Sequence, residues 1–449
     1  MSDESAVAIA AAGTGANRSW LDKDTSPIWR PFTQMQDAAP PLSVKAGRGV
    51  YLELEDGRRI MDCISSWWVN IHGHGEPTIA AAIAEQAKTL EHVIFAGFTH
   101  APAERFSRRL LEKLPQNFKR LFYSDNGSTA VEVALKLAYQ YWSNQGVSSR
   151  TRFIGFENGY HGDTVGAMSI GGSSGFWHAF KDLLFSLDAV PYPGTFIGDE
   201  SAEVRERKTL AAIERLFELH KDGYAAIFIE PLVQGAGGMH MCRPQFLQRL
   251  EALARAHRVL IIYDEVMTGF GRTGDWFACK KAGTNPDIIC LSKGITGGFL
   301  PLAATVTNEQ IFSAFLGERA TKTFFHGHSY TANPIACAAA EASIALLEQT
   351  QSRFIDMHIL HEELSRKYLQ NKSNITRLRI CGTIIAFDVT TSHGTNYFDD
   401  VGRKLKERFL ADGFLIRPLG NTVYIMPPYC ISPEQLEEAY VVMGKAISA

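Results

Sequence analysis

Cys290-Leu291-Ser292-Lys293-Gly294-Ile295-Thr296-Gly297-Gly298 decides the reading of this chain, taken together with Tyr263-Asp264-Glu265-Val266-Met267-Thr268-Gly269-Phe270-Gly271-Arg272. Each run follows a short apolar, β-branched segment, Ile288-Ile289 and Leu260-Ile261-Ile262 respectively, of the kind that forms buried strands. Asp264 and Lys293, 29 positions apart (264 to 293), are therefore expected at the C-terminal ends of two strands of a parallel sheet. Ligands of open α/β sheets bind at that edge. Either residue alone would pass for an ordinary loop residue. Together they offer an anion and an amine to one ligand.

The chain around this pair supports an α/β reading. From about Gly73 to Asn333, helical patterns alternate with short apolar strands such as Arg120–Ser124, Phe153–Phe156 and Ala226–Glu230. That alternation implies βαβ units and a mostly parallel sheet. Before it, Tyr51–Ile60 alternates and turns at Asp56-Gly57, the pattern of a hairpin. After it come an Ala-rich helix at about Pro334–Glu348, strands at Thr383–Phe387 and Thr422–Met426, and helices at about Asp399–Asp412 and Pro433–Ile447. The expected organisation is a lead-in over residues 1–19 and a segment 20–65 that joins a small domain. A large domain would span 66–333, and the rest of the small α+β domain, closing over it, 334–449.

Composition narrows the function. With 449 residues, 45% apolar, 21% charged and a net charge of −3, the chain is an ordinary globular one. No basic block suits nucleic acid, and no apolar run approaches the roughly 18 residues of a membrane span. Seven scattered cysteines without a CxxC fit a reducing, cytoplasmic setting rather than disulfides or zinc. Residues 1–19, rich in Ala, Gly and Ser, read as disordered, and Asp3 and Glu4 speak against a transit peptide.

Four further runs carry chemistry. Asp125-Asn126-Gly127-Ser128-Thr129 follows a strand and opens a helix, so the N–H groups of Gly127, Ser128 and Thr129 are expected free to bind an anion. Glu157-Asn158-Gly159-Tyr160-His161-Gly162-Asp163 offers the flat face of Tyr160, with Asp163 to orient its neighbours. Phe325-His326-Gly327-His328-Ser329-Tyr330 is rich in glycine and hydroxyls. Its His-x-His lacks cysteine or acidic ligands, so no metal is expected. Arg417-Pro418-Leu419-Gly420, with Tyr424 beyond, offers a guanidinium that matches a carboxylate. Amine, carboxylate and anion site together are what pyridoxal phosphate requires: an amine for its aldehyde, an anion for its pyridinium and donors for its phosphate.

In these motifs and their order, the chain from Ile28 onward resembles the class III pyridoxal-phosphate aminotransferases of fold type I. Ile28-Trp29-Arg30-Pro31-Phe32-Thr33-Gln34-Met35, Ser65-Ser66-Trp67-Trp68, His326-Gly327 and Arg417–Gly420 resemble one branch of the class most closely. That branch aminates the long-chain keto acid 8-amino-7-oxononanoate in biotin biosynthesis. The resemblance implies that Lys293 links to the cofactor and then moves the proton. It implies that Asp264 holds the pyridinium, that Tyr160 and Val266 sandwich the ring, and that Gly127 and Ser128 bind the phosphate. His328 and Ser329 would join them from the partner subunit of a homodimer. Phe32, Trp67, Trp68, Tyr160, Gly327, Arg417 and Tyr424 would line the substrate pocket, and Arg272 would support the site.

Two departures bear on the amino donor. The members that use S-adenosylmethionine have tyrosine where this chain has Phe32, and Pro-Thr where it has His328-Ser329. Both changes resemble the branch that takes its amino group from lysine. S-adenosylmethionine is the expected donor, with lysine as the alternative. Members acting on 4-aminobutyrate or ornithine commonly carry glutamate at Ala236 and glutamine at Met267, which argues against them here. A cofactor-binding transcription sensor would need a DNA-binding module, and residues 1–25 are too short and too acidic for one.

Overall fold

The computed structural model describes residues 26–171, 175–390 and 400–448, so the lead-in expected over residues 1–19 lies outside it. Strands are numbered in chain order. The first three are β1 (Val44–Arg48), β2 (Tyr51–Leu54) and β3 (Arg59–Asp62). Next come β4 (Phe118–Ser124), β5 (Arg152–Phe156), β6 (Asp188–Val190) and β7 (Tyr224–Ile229), then the short β8 (Val233–Gln234) and β9 (His240–Met241). β10 (Leu260–Asp264), β11 (Ile288–Leu291) and β12 (Ala303–Asn308) precede β13 (Ile375–Cys381), β14 (Ile384–Val389), β15 (Phe414–Leu415) and β16 (Thr422–Ile425).

The central sheet has seven strands in the order β4-β12-β11-β10-β7-β5-β6. β10 pairs in parallel with β11 and β7, and β5 with β7 and β6, whereas β12 runs antiparallel to both its neighbours. The expected mostly parallel sheet is therefore present, with one reversed strand. Its central strands β7, β10 and β11 are buried throughout and largely apolar because both faces are covered. Ile261 and Tyr263 join one hydrophobic cluster, with Phe246, Leu247 and Leu250 of the helix Pro244–Ala256. The alternate residues Leu260 and Ile262 join another, with Ala130, Val131 and Ala134 of helix α1 (Gly127–Asn144). Parallel pairing also places the C-terminal ends of β4, β5, β7, β10 and β11 along one edge.

Early and late segments of the described chain pair in a second sheet. The hairpin β2–β3 turns through Asp56-Gly57, where Gly57 adopts φ +88. β15 then adds to β3 in parallel, Phe414 opposite Met61, so residues near 60 and near 414 share one four-stranded sheet. β13, β14 and β16 form a separate antiparallel sheet. Helix α2 (Pro334–Thr350) packs on the helices Pro77–Thr89 and Ala101–Lys113.

Arg379 ties the small antiparallel sheet to the loop between β8 and β9. Its guanidinium is buried and pairs with Asp388 at 2.8 Å, while donating to the carbonyls of Met239 at 2.8 Å and Gly238 at 2.6 Å. Removing one partner of a buried pair strands the other charge. Arg379→Met is expected to lower stability by roughly 3–5 kcal/mol, read as a shift of the urea midpoint. Adding Asp388→Asn should recover part of that loss; an unchanged midpoint in the single variant would show the pair to be neutral.

Candidate active site

Asp264 ends β10 and is buried in the wall of a cavity of about 650 Å³. One carboxylate oxygen accepts from the Val266 N–H at 3.0 Å, and the other lies 2.7 Å from Nδ1 of buried His161. Burial alone would lower the His161 pKa, but the hydrogen bond and charge of Asp264 outweigh it and the net shift is upward. Glu230, one residue past β7, accepts from the Gly235 N–H at 2.9 Å and the Tyr160 N–H at 3.2 Å. Burial pushes its pKa up to about 7.

Lys293 stands two residues past β11, at φ +46 in a short 3-10 turn over Lys293–Thr296. A β-free side chain would be the easy choice at that φ, so a lysine there is held against local strain. Its Nζ lies 4.6 Å from the centroid of the Trp68 ring and takes no hydrogen bond or ion pair among the described residues. Burial lowers its pKa, with Asp264 and Glu230 pulling the other way. The result is an amine of reduced basicity facing a cavity.

The anion-binding end is narrower than the sequence implied. Asn126 caps α1 by accepting from the Thr129 N–H at 3.1 Å, while the Thr129 hydroxyl receives the Asn126 N–H at 2.9 Å. The Thr129 N–H is thus not free as expected, because the capping box uses it, and Gly127 and Ser128 remain. The Ser128 hydroxyl also accepts from the Asp163 N–H at 3.2 Å. A Cβ at Gly127 would stand 2.7 Å from a Val266 methyl, and one at Gly162 only 2.0 Å from the Ser128 hydroxyl. These glycines keep open the same cradle that Ser128, Tyr160, Asp264, Val266 and Lys293 line. An amine, a buried carboxylate and a helix start around one chamber fit a flat cationic heterocycle bearing a phosphate. Asp163 orients Tyr160 as expected, accepting from its hydroxyl at 2.9 Å.

A second cavity, of about 550 Å³, adjoins the first, since Trp68, Tyr160 and Lys293 line both. Its walls include Phe32, Trp67, Leu415, Leu419, Tyr424 and Arg417. Ser65, Ser66, Trp67 and Trp68 all have positive φ, between +43 and +74, and wind one left-handed turn. Asp62 holds it, accepting from the Ile64 N–H at 3.1 Å, the Ser66 hydroxyl at 2.6 Å and His74 at 2.9 Å. The turn sends the two tryptophans to different tasks. The Trp68 indole N–H donates to the Tyr424 hydroxyl at 2.9 Å. The Arg417 guanidinium lies 4.8 Å from the Trp67 ring centroid, and Phe32 packs 5.5 Å from the same ring. Buried Arg272 donates to the carbonyls of Pro427 at 2.8 Å and Trp68 at 3.5 Å, tying this turn to the end of β16.

The single chain does not bring Gly327, His328 and Ser329 to either cavity. Gly327 and Ser329 are exposed, and His328 Nδ1 lies 3.5 Å from Asp125. Sequence reasoning passed over His161, Glu230 and Lys406, the last of which lines the second cavity. His161 and Glu230 stood in runs already singled out, but their partners lie 103 and 70 positions away, and no local pattern names such a partner.

Comparison with known proteins agrees with this geometry. The aminotransferase class-III family profile matches residues 33–447. The adenosylmethionine-8-amino-7-oxononanoate aminotransferase of Synechococcus elongatus is 52% identical over 93% of this chain and 97% of its own. Its namesake from Anoxybacillus flavithermus is 39% identical over 97% and 98%. The crystal structure of the Methanocaldococcus jannaschii enzyme of that name superposes with a TM-score of 0.88 at 34% identity, covering 96% of this chain and 98% of that one. An amine transaminase from an uncultivated Pseudomonas species, solved in its PLP-bound form, gives 0.86 at 30% identity, covering 95% and 99%. The α/β architecture is that of fold type I, and the chain belongs to the class-III aminotransferases.

Proposed function

We propose that this enzyme transfers an amino group to 8-amino-7-oxononanoate, giving 7,8-diaminononanoate, with pyridoxal 5′-phosphate as cofactor and S-adenosylmethionine as donor. The observation that carries the reading is the wall the two cavities share: Lys293 lines both, and Arg417 stands in the aromatic slot, neither making a hydrogen bond or ion pair among the described residues. A keto acid with a long methylene chain matches that sequence of environments, its keto group toward Lys293 and its carboxylate toward Arg417. The names of the relatives at 52% and 39% identity point to the same substrate and donor.

Bound pyridoxal phosphate supplies an electron sink for the carbon that gains or loses the amino group. The chain's own residues do the rest. The Gly127 and Ser128 N–H groups and the Ser128 hydroxyl bind the phosphate. Asp264, itself held by His161, keeps the ring nitrogen protonated, with Tyr160 and Val266 against the ring. Lys293 Nζ, less basic than a surface lysine, takes and returns the proton at the reacting carbon. Trp67, Trp68 and Tyr424 exclude water from the methylene chain, and Phe32 extends the wall.

The site is proposed to be completed in a cytoplasmic homodimer, where Gly327, His328 and Ser329 of one subunit reach the other's phosphate and substrate. Phe325 and Tyr330, which flank these residues, are 73% and 64% exposed and would gain cover there. All seven cysteines are free, which suits a reducing compartment.

Lys293→Ala should purify without borohydride-fixable cofactor, and its transamination should fall at least about 10²–10⁴-fold, the usual range for a lost proton-transfer group. Retained turnover would remove Lys293 from the chemistry. Arg417→Ala should raise KM for the keto acid roughly tenfold or more while leaving the cofactor absorbance in place, and an unchanged KM would clear Arg417 of that task.

Lysine is the second donor to test, because Phe32 in the slot carries no hydroxyl. S-adenosylmethionine and lysine are added separately to the yellow holo-protein without keto acid. Bleaching by S-adenosylmethionine alone is the expected result, and bleaching by lysine alone would reassign the donor.

A further inference from the structure

The slot contains a second cation. Lys406 lies on helix α3 (Asp400–Ala411), which packs against β15 and brings the side chain to the slot beside Arg417, Leu415 and Phe32. Neither Lys406 nor Arg417 makes an ion pair or hydrogen bond among the described residues. Glu407, next to Lys406 in the chain, is paired with Arg403 at 3.4 Å. Lys406 is exposed at the mouth of the slot, and partial burial first and the like charge of Arg417 second push its pKa down, with Glu407 opposing. An arrangement that costs the unliganded protein in this way is relieved when an anion sits between the two cations.

We propose that Lys406 and Arg417 together grip the distal carboxylate of the substrate, which makes Lys406 a specificity determinant for carboxylate-terminated chains. This deepens, and rests on, the reading of the slot as the site of a long-chain keto acid. The two side chains are suited to different parts of the task. The Arg417 guanidinium lies over the Trp67 ring at 4.8 Å, and its fork of N–H donors matches a planar carboxylate. The Lys406 ammonium is a compact charge on a flexible stem, and α3 delivers it from another element of the fold to the remaining oxygen lone pairs.

The test uses nonanoate and 1-nonanol as matched probes, their affinities for the holo-protein read by calorimetry. The wild-type protein is expected to prefer nonanoate. Lys406→Met should cut the nonanoate-to-nonanol affinity ratio roughly tenfold, the loss of one charge-assisted hydrogen bond, and Lys406→Arg should keep most of it. If Arg417→Met cuts the ratio but Lys406→Met does not, the assignment of Lys406 is overturned while the slot keeps its carboxylate end. If the wild-type protein shows no preference for nonanoate, the carboxylate end itself is wrong, and the keto-acid reading of the slot falls with the proposal.

Discussion

The contact on which the site depends is the 2.7 Å pair between His161 and Asp264. A carboxylate this deeply buried is costly unless its lone pairs are satisfied, and backbone N–H groups alone would leave the charge largely uncompensated. His161 solves the problem with a group that can share a proton. Asp264 therefore stays on the cavity wall rather than turning into the sheet. The position of that wall follows from the sheet: β5 supplies the loop with His161, β10 supplies Asp264, and β7 lies between them in the strand order. Any register change in these parallel strands would separate the pair.

Around this contact the cavity wall sets two acids, Asp264 and Glu230, against two bases, His161 and Lys293. Glu230, with its pKa at about 7, can carry its proton at neutrality, so the cluster does not have to hold two full negative charges. Lys293 makes no hydrogen bond or ion pair among the described residues. A salt bridge to Asp264 or Glu230 would raise its basicity and occupy the lone pair that a nucleophilic amine needs. Keeping an acid close enough to matter, yet not bonded to the lysine, is the electrostatic condition for a lysine that must react.

The fold was legible because its central strands β7, β10 and β11 are buried on both faces and read as apolar runs, each followed by a polar strand end. Asp264, Lys293, Gly127 and Tyr160 could be placed on one edge from that pattern alone. What escaped depends on contacts far apart in sequence or on backbone geometry without a marker. Nothing local pairs His161 with Asp264, and nothing local places Lys406, an exposed lysine, at the slot until α3 is packed against β15. The capping role of Thr129 was hidden for a different reason: a hydroxyl beside a helix start serves equally well as cap or as ligand, and Asn126 decides between them.

The left-handed turn at Ser65–Trp68 is the hardest feature to foresee, since none of its residues is glycine. Left-handed backbone costs a non-glycine residue about 1–2 kcal/mol, so four in succession need strong local restraint. Asp62 provides it through three hydrogen bonds, Ser65 adds one to the Met426 carbonyl at 2.8 Å, and Arg272 bridges the Trp68 and Pro427 carbonyls. A right-handed turn of the same four residues would place adjacent tryptophans about 100° apart around a different axis. The left-handed turn instead lets Trp68 meet Lys293 and Tyr424 while Trp67 meets Arg417 and Phe32. One strained turn therefore couples the amine to the guanidinium, and the restraints that hold the strain are what keep those two groups in register with a single extended ligand.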